Sequence, residues 1–360
     1  MCKNVWIGLL VCLHLSVAHG QYFSIQERRA DDPYEGESIF PEIVAPDSKS
    51  AFPELAAERI NTYLKYDVLM KVHGNEGDSL FSEVFPKEND IGGQGEFSYR
   101  VVCNNPRIFT MEISNSFTGA YTEYMDRYYS FDAHTGEHLI LHDFFEGAQF
   151  GSIITMAAKE CASMIRNYLA TMDREEEYAQ DKTDMYYDCL TNFEGDGVPY
   201  FGFYLTDTNM VLTYGRCSNH MMAALDDLWE FNIPFSFETL KPYLSPKGRS
   251  LIFNEAGAES TFPPEQKVLT GTLDGKYPIH AIFNSLSSYY GLSGVYWYDK
   301  YQKPIPIYGS ITGENTYEFW EEEESVRVAR LELVFQNGQL MGVWERVDGS
   351  SSFPVDLHAR

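Results

Sequence analysis

The chain has 360 residues, of which 53 are Asp or Glu and 27 are Lys or Arg, so its formal charge is −26 near neutrality. So acidic a chain repels phosphate backbones and anionic headgroups, which excludes nucleic acid and anionic membrane surfaces as partners. The length exceeds what one hydrophobic core usually serves, and two domains are expected.

Residues 1–20 read as a cleavable secretory signal. Lys3 precedes an apolar run from Val5 to Val17, and Ala18-His19-Gly20 puts small residues at −3 and −1 of a cut before Gln21. That run is too short for the roughly 20 apolar residues of a spanning helix, and no later segment approaches such a length, so no transmembrane segment is expected. Cys12 is a poor lipidation site because Val11 stands where Gly, Ala or Ser is needed. The mature protein is therefore expected outside the cytoplasm: periplasmic, on the cell surface or secreted.

Export fixes how the cysteines are read. Losing the signal removes Cys2 and Cys12 and leaves Cys103, Cys161, Cys189 and Cys217, an even number in an oxidising compartment. There is no C-x-x-C pair, so the spacing does not read as zinc. Of the three possible pairings, Cys161 with Cys189 and Cys103 with Cys217 is favoured, because the first closes a helix and the acidic loop after it.

Residues 21–39 are polar and charged, lack either apolar period, and read as a flexible lead-in. From Pro53, Leu55, Ile60, Leu64 and Val68 recur at helical spacing. Strands are expected over Phe97–Asn104, Arg107–Ser116 and Tyr124–Phe131, followed by a turn at Asp132-Ala133-His134-Thr135-Gly136 and a fourth strand, His138–His142. A second helix, Ser152–Met172, carries Ile153, Ile154, Ala157, Cys161, Met164, Ile165 and Leu169 on one stripe. After an acidic, tyrosine-bearing segment come strands at Tyr200–Leu205, Met210–Tyr214 and Trp229–Phe235, then a short helix opening at Ser236. An α+β domain over 40–245 follows, with an N-terminal antiparallel sheet and two main helices. Pro and Gly mark 246–266 as a linker.

Residues 267–360 show short strands between turns and no helical period, so this domain is read as all β. Asn337-Gly338 favours a type I′ hairpin that sets Phe335 against Leu340, Leu331 against Trp344 and Arg330 against Glu345. Asp348-Gly349 makes the next turn, with Trp344 opposite Phe353. Hairpins sharing strands form a meander, here of about eight strands, curled or closed into a barrel.

Chemistry-bearing patterns are sparse. His134, His138 and His142 recur every four residues, but on a strand that spacing spans about 13 Å, too far for one ion, and no metal or cofactor is expected. G-x-S-x-G, S-x-x-K and H-E-x-x-H in their usual surroundings do not occur. Gly291-Leu292-Ser293-Gly294 is followed by a β run where a nucleophile elbow needs a helix. Aromatic residues crowd the second domain, and alternation puts Val295 and Trp297 on one strand face and Tyr296 and Tyr298 on the other. One face must be core; the other is a candidate stacking surface. Tyr121, Tyr296, Tyr298 and Trp320 are the candidate ligand-binding residues.

The run TGAYTEYMDRYYSFDAHTGEHLILHDFF, from Thr118 to Phe145, resembles the signature of a bacterial extracytoplasmic domain of unknown function. That domain occurs in anti-sigma factors that sense lysozyme and beside the catalytic domain of some peptidoglycan deacetylases. AAERINTYL upstream and FYLTDTNMVLTY and IPFSFETLKPYL downstream fit the same pattern, so the resemblance covers about residues 40–245. Two positions depart from it: Tyr121 replaces the family's His, and Thr118 stands where a second Gly is usual. Neither a sigma-binding region nor a deacetylase domain is recognisable. The second domain resembles, more loosely, secreted bacterial β modules through Gly294, Tyr296 and Tyr298 and through Gly342 and Trp344. The resemblance implies a non-catalytic envelope protein that binds a lysozyme-like protein or a cell-wall or glycan component. The competing expectation is a hydrolase of cell-wall or carbohydrate material using two carboxylates.

Overall fold

A computed structural model describes residues 22–32, 36–46, 52–72, 80–81, 93–119, 122–195, 199–257, 262–286 and 291–359. The signal segment and Tyr121 lie outside the described residues. The chain is mixed α+β, with antiparallel sheets and helices first and a closed antiparallel barrel after them.

Strands β1 (Ser24–Asp32) and β2 (Gly36–Val44) pair antiparallel, so the segment expected to be a flexible lead-in is a ribbon. Its own charges hid it. The apolar residues that anchor it, Phe23, Phe40 and Ile43, flank or follow the charged run, while Arg28 pairs with Glu42 across the ribbon. Helix α1 (Phe52–Leu69) buries Ala56, Ile60, Tyr63 and Leu64, whereas Leu55, expected on that stripe, is exposed.

The sheet of β3 (Gly93–Asn104), β4 (Ile108–Thr118) and β5 (Thr122–Asp132) separates two cores. Alternation along β4 sends Phe109, Met111 and Ile113 towards α1 and Ile108 into the core beyond. The expected fourth strand is reduced to one bridge between Phe131 and His138. A short helix, α2 (Leu141–Phe144), opens there instead, because the Asp143 carboxylate accepts the Ile140 N–H at 2.9 Å.

The other core is built by α3 (Gly147–Thr171), α4 (Ala179–Glu194) and the sheet of β6 (Gly202–Leu205), β7 (Asn209–Tyr214) and β8 (Phe231–Ser236). The expected stripe on α3 is buried except for Met164. Helix α4 occupies the acidic segment to which no element was assigned; its buried residues, Thr183, Tyr186, Leu190 and Phe193, do recur at helical spacing. Ser236 caps α5 (Phe237–Leu240) as expected, accepting the Thr239 N–H at 3.2 Å. Ser245 likewise caps α6 (Pro246–Phe253), so the first part of the expected linker is helical.

The second domain is an eight-stranded meander: β9 (Leu269–Leu273), β10 (Tyr277–Ser285), β11 (Leu292–Tyr298), β12 (Ile305–Gly313), β13 (Thr316–Glu323), β14 (Val326–Gln336), β15 (Gln339–Arg346) and β16 (Ser352–His358). Each strand pairs with the next and β16 closes on β9. Leu331 faces Trp344, Phe335 faces Leu340, Arg330 faces Glu345 and Trp344 faces Phe353, the register expected from the turns. Phe283, Phe319, Leu331, Leu333 and Leu340 fill the interior. The outer face of β10 and β11 is buried as well, because Ile282, Val295 and Trp297 belong to the core of α1.

The cysteine pairing differs from expectation. Cys189 on α4 is bonded to Cys217, with their Cα atoms 5.4 Å apart, and Cys103 and Cys161 are buried free thiols. The expected Cys161–Cys189 bridge assumed a loop at 179–194; as a helix, that segment carries Cys189 to Cys217, while Cys161 faces the core from α3.

Two outcomes follow. In urea, Gly338→Val should cost about 1–2 kcal/mol, since Gly338 has φ +77°. Gly342→Ala should cost more, because its Cβ would meet the Glu332 carbonyl oxygen at 1.7 Å, a backbone atom that moves only with its strand. For the cysteines, burial pushes the Cys103 and Cys161 thiols up to about 12, so iodoacetamide at mildly alkaline pH should label neither in the folded protein. Unfolded without reductant, it should label Cys103 and Cys161 and spare Cys189 and Cys217. Removing the bridge, of sequence separation 28, should cost about 3–4 kcal/mol.

Candidate functional site

The sequence-predicted binding residues do not come together. Tyr296 points into the barrel, 2% exposed, and its hydroxyl donates to Glu321, as does Trp344 Nε1. It is thus core and no stacking surface, and since Trp297 is buried on the opposite side, both faces of β11 are interior. Tyr298 is half-buried, its ring 5.8 Å from that of Tyr296. Trp320 lies on the barrel exterior, covered by the Arg327 guanidinium at 4.6 Å and bonded to Glu318. The three histidines also part: His134 stacks on Phe52, His138 on Tyr63, and His142 lies between Phe150 and Phe262.

What the fold does assemble is the seam between the two domains. There Asp143, 2% exposed, takes two hydrogen bonds from Lys267 Nζ, at 2.8 and 3.0 Å, and an ion pair from Lys247 at 2.9 Å. Glu137 completes the group, 3.2 Å from Lys247 and 3.5 Å from Lys267. Burial alone would raise the Asp143 carboxyl, but Lys267 and then Lys247 outweigh it and hold the group well below the usual carboxylate range. Glu137 is lowered on the same balance. Lys247 lies on α6, at the start of the expected linker, and Lys267 just beyond its end, shortly before β9.

Beside this cluster is a cavity of about 350 Å³, within the range of small-ligand sites. Its walls include Tyr128, His142, Phe150, Tyr200 and Phe203, and its polar groups include His138 and Glu265. Tyr128 is held by stacking on Tyr204, with centroids 4.2 Å apart. His138 Nδ1 is buried without a hydrogen-bond partner. Burial, seconded by Lys267, pushes this imidazole down to about 3, so it is neutral across the physiological range. Gln266 holds φ +54°, a conformation uncommon for a side-chain-bearing residue. A second cavity, lined by Asp67, Tyr129 and Asn284, shares His138, Tyr128 and Gln266 with the first.

Sequence reasoning missed this site. Its walls come from 128–154, 199–203 and 265–266, and no spacing within any one segment reports that they meet. The one local signal was the Asp-Phe-Phe close of the Thr118–Phe145 run, which contains Asp143.

Protonation links the seam to stability. For His138 the folded state refuses a proton that the unfolded chain accepts below its ordinary value of 6.5, so stability falls as pH drops from there towards about 3. Asp143 is lowered relative to 3.8, so its contribution is complete above that value and is lost as pH falls further. Urea midpoints should therefore decline below about pH 6.5 and more steeply below about pH 4. His138→Phe should flatten the upper limb, whose slope cannot exceed about 1.4 kcal/mol per pH unit for one group. Lys267→Met should cost about 3–5 kcal/mol at neutral pH by stripping Asp143 of its closest cation.

Among the described residues no helix is long and apolar enough to cross a membrane. No protein-family model matches the chain and no curated protein matches it. Among solved structures, the crystal structure of a member of the DUF3298 family from Bacteroides fragilis is similar over 65% of this chain and 97% of its own, at 14% identity and a TM-score of 0.40. Overlap at that level leaves function to be argued from this chain's own geometry.

Proposed function

We propose that this protein is an exported, non-catalytic binding protein of the cell envelope, and that it holds part of a cell-wall component in the aromatic cavity at the domain seam. The cavity carries the reading: it is concave, walled by rings, and furnished with only a few polar groups. Binding is favoured over hydrolysis by two carboxylates because Asp143 and Glu137 beside the cavity are already neutralised, which leaves Glu265 as the single carboxylate on its wall among the described residues. Asp143 and Glu137 share Lys247 and Lys267, and an acid with two cations on it is a poor proton donor. Export is supported by the signal-like residues 1–20 and by the Cys189–Cys217 bridge.

A lysozyme-like protein is the second reading, favoured by the charge of −26, which attracts basic proteins. Calorimetric titration of the full chain with soluble peptidoglycan fragments and with lysozyme separates the two, at about 0.15 M salt and above it. The cavity reading expects fragments to bind with defined stoichiometry, and Tyr128→Ala with Tyr200→Ala to weaken them about tenfold, as loss of aromatic stacking implies. Lysozyme binding that resists salt and ignores both substitutions would move the site elsewhere on the surface. Absence of binding to either would end the envelope-binding reading.

A further inference from the structure

We infer that the seam cavity recognises an organic ammonium group, with Glu265 as its counter-ion and the aromatic walls as its cradle. This deepens the binding reading above and rests on it. Glu265 is 7% exposed and lines the cavity. One carboxylate oxygen accepts the Leu286 N–H at 2.5 Å, and among the described residues the group has no other donor and no cation. This contrasts with the carboxylates next door. Asp143, fully withdrawn from water, and the half-buried Glu137 are matched by Lys267 and Lys247. A buried carboxylate without a cation is costly, and the site lowers that cost by admitting one from outside.

The rest of the cavity selects which cation. Tyr128, Phe150, Tyr200 and Phe203 offer ring faces and edges, which attract an organic cation and exclude a strongly hydrated metal ion. His142 is itself fixed between Phe150 and Phe262, at ring distances of 4.4 and 4.0 Å, and burial lowers its basicity, so it meets the cavity by its edge and brings no competing cation. His138 contributes a second unsatisfied polar atom, the buried Nδ1, which is an acceptor when the neutral ring carries its proton on the other nitrogen. An ammonium carries N–H donors for both Glu265 and such an acceptor; a carboxylate or phosphate ligand would meet a like charge and supply no donor. At about 350 Å³ the cavity takes a ring-sized body behind the charged head.

The test uses three ligands of similar shape: phenethylamine, phenethyl alcohol and phenylpropionate, cationic, neutral and anionic at neutral pH. Each is titrated calorimetrically into the full chain and into Glu265→Gln, which keeps an acceptor for Leu286 and removes the charge; circular dichroism confirms that the variant is folded. The amine should bind at least about tenfold more tightly than the alcohol, the acid should bind most weakly, and Glu265→Gln should erase the amine's advantage while sparing the alcohol. Equal binding of all three to the wild type would overturn the ammonium assignment yet keep the cavity as a binding site. An amine preference that survives Glu265→Gln would overturn the role of Glu265. If no member of the series binds while cell-wall fragments still bind and remain sensitive to Tyr128→Ala, the ammonium inference fails and the envelope reading stands.

Discussion

The buried ion pair between Lys267 and Asp143 is the constraint around which the two domains are arranged. Asp143 begins α2 by taking the Ile140 N–H, and its backbone carbonyl accepts the Ser245 hydroxyl that caps α6. Lys267 stands at the threshold of β9. One residue thus fixes where the first domain's last helix sits, through its carbonyl, and where the barrel starts, through its carboxylate. Such pairs need not add net stability relative to a well-packed apolar seam, but breaking one leaves a charge in a poorly solvated place. Specificity of docking is the physical reason to keep it: a hydrophobic seam tolerates sliding, whereas a bidentate lysine contact does not.

Around that contact the seam is sealed by ordinary packing. Strand β11 serves two interiors at once, with Tyr296 in the barrel and Trp297 against α1. A strand buried on both faces loses the polar side that usually marks an exposed sheet, which explains the unbroken run of apolar and aromatic residues there. It also explains why aromatic enrichment misled as a sign of a ligand surface. The rings at 296 and 297 are structural, and the rings that wall the cavity come from the first domain, at 128, 150, 200 and 203.

The cavity lies where the polar seam and the apolar packing meet, so its polar groups have unequal fates. Carboxylates reached by Lys247 and Lys267 are neutralised within the protein, while Glu265, on the barrel side, is left facing the space between the domains. His138 is similarly placed: near Lys267, buried, kept neutral, with its Nδ1 unsatisfied. Binding sites commonly draw on such under-satisfied polar groups, because a ligand that completes them gains hydrogen bonds that water could not make in the same volume.

Local pattern determined much of the fold. The period of the stripe on α3, the Ser236 cap and the Asn337-Gly338 turn are properties of neighbouring residues, and the turn fixed the pairing of Leu331 with Trp344. The meander was legible for the same reason, since each hairpin passes its register to the next, whereas its closure rests on the long-range pairing of β16 with β9. Long-range packing decided the rest. The charged strand β1 forms because β2 pairs with it, α4 hid its stripe among acidic residues, and Cys189 meets Cys217 only once α4 is a helix. The seam site belongs to this second class: Asp143 and Lys267 are 124 residues apart, and no spacing rule connects them. Charges pair, and cavities form, between surfaces brought together by the tertiary fold, so the sequence alone supplied the parts of the site but not their meeting.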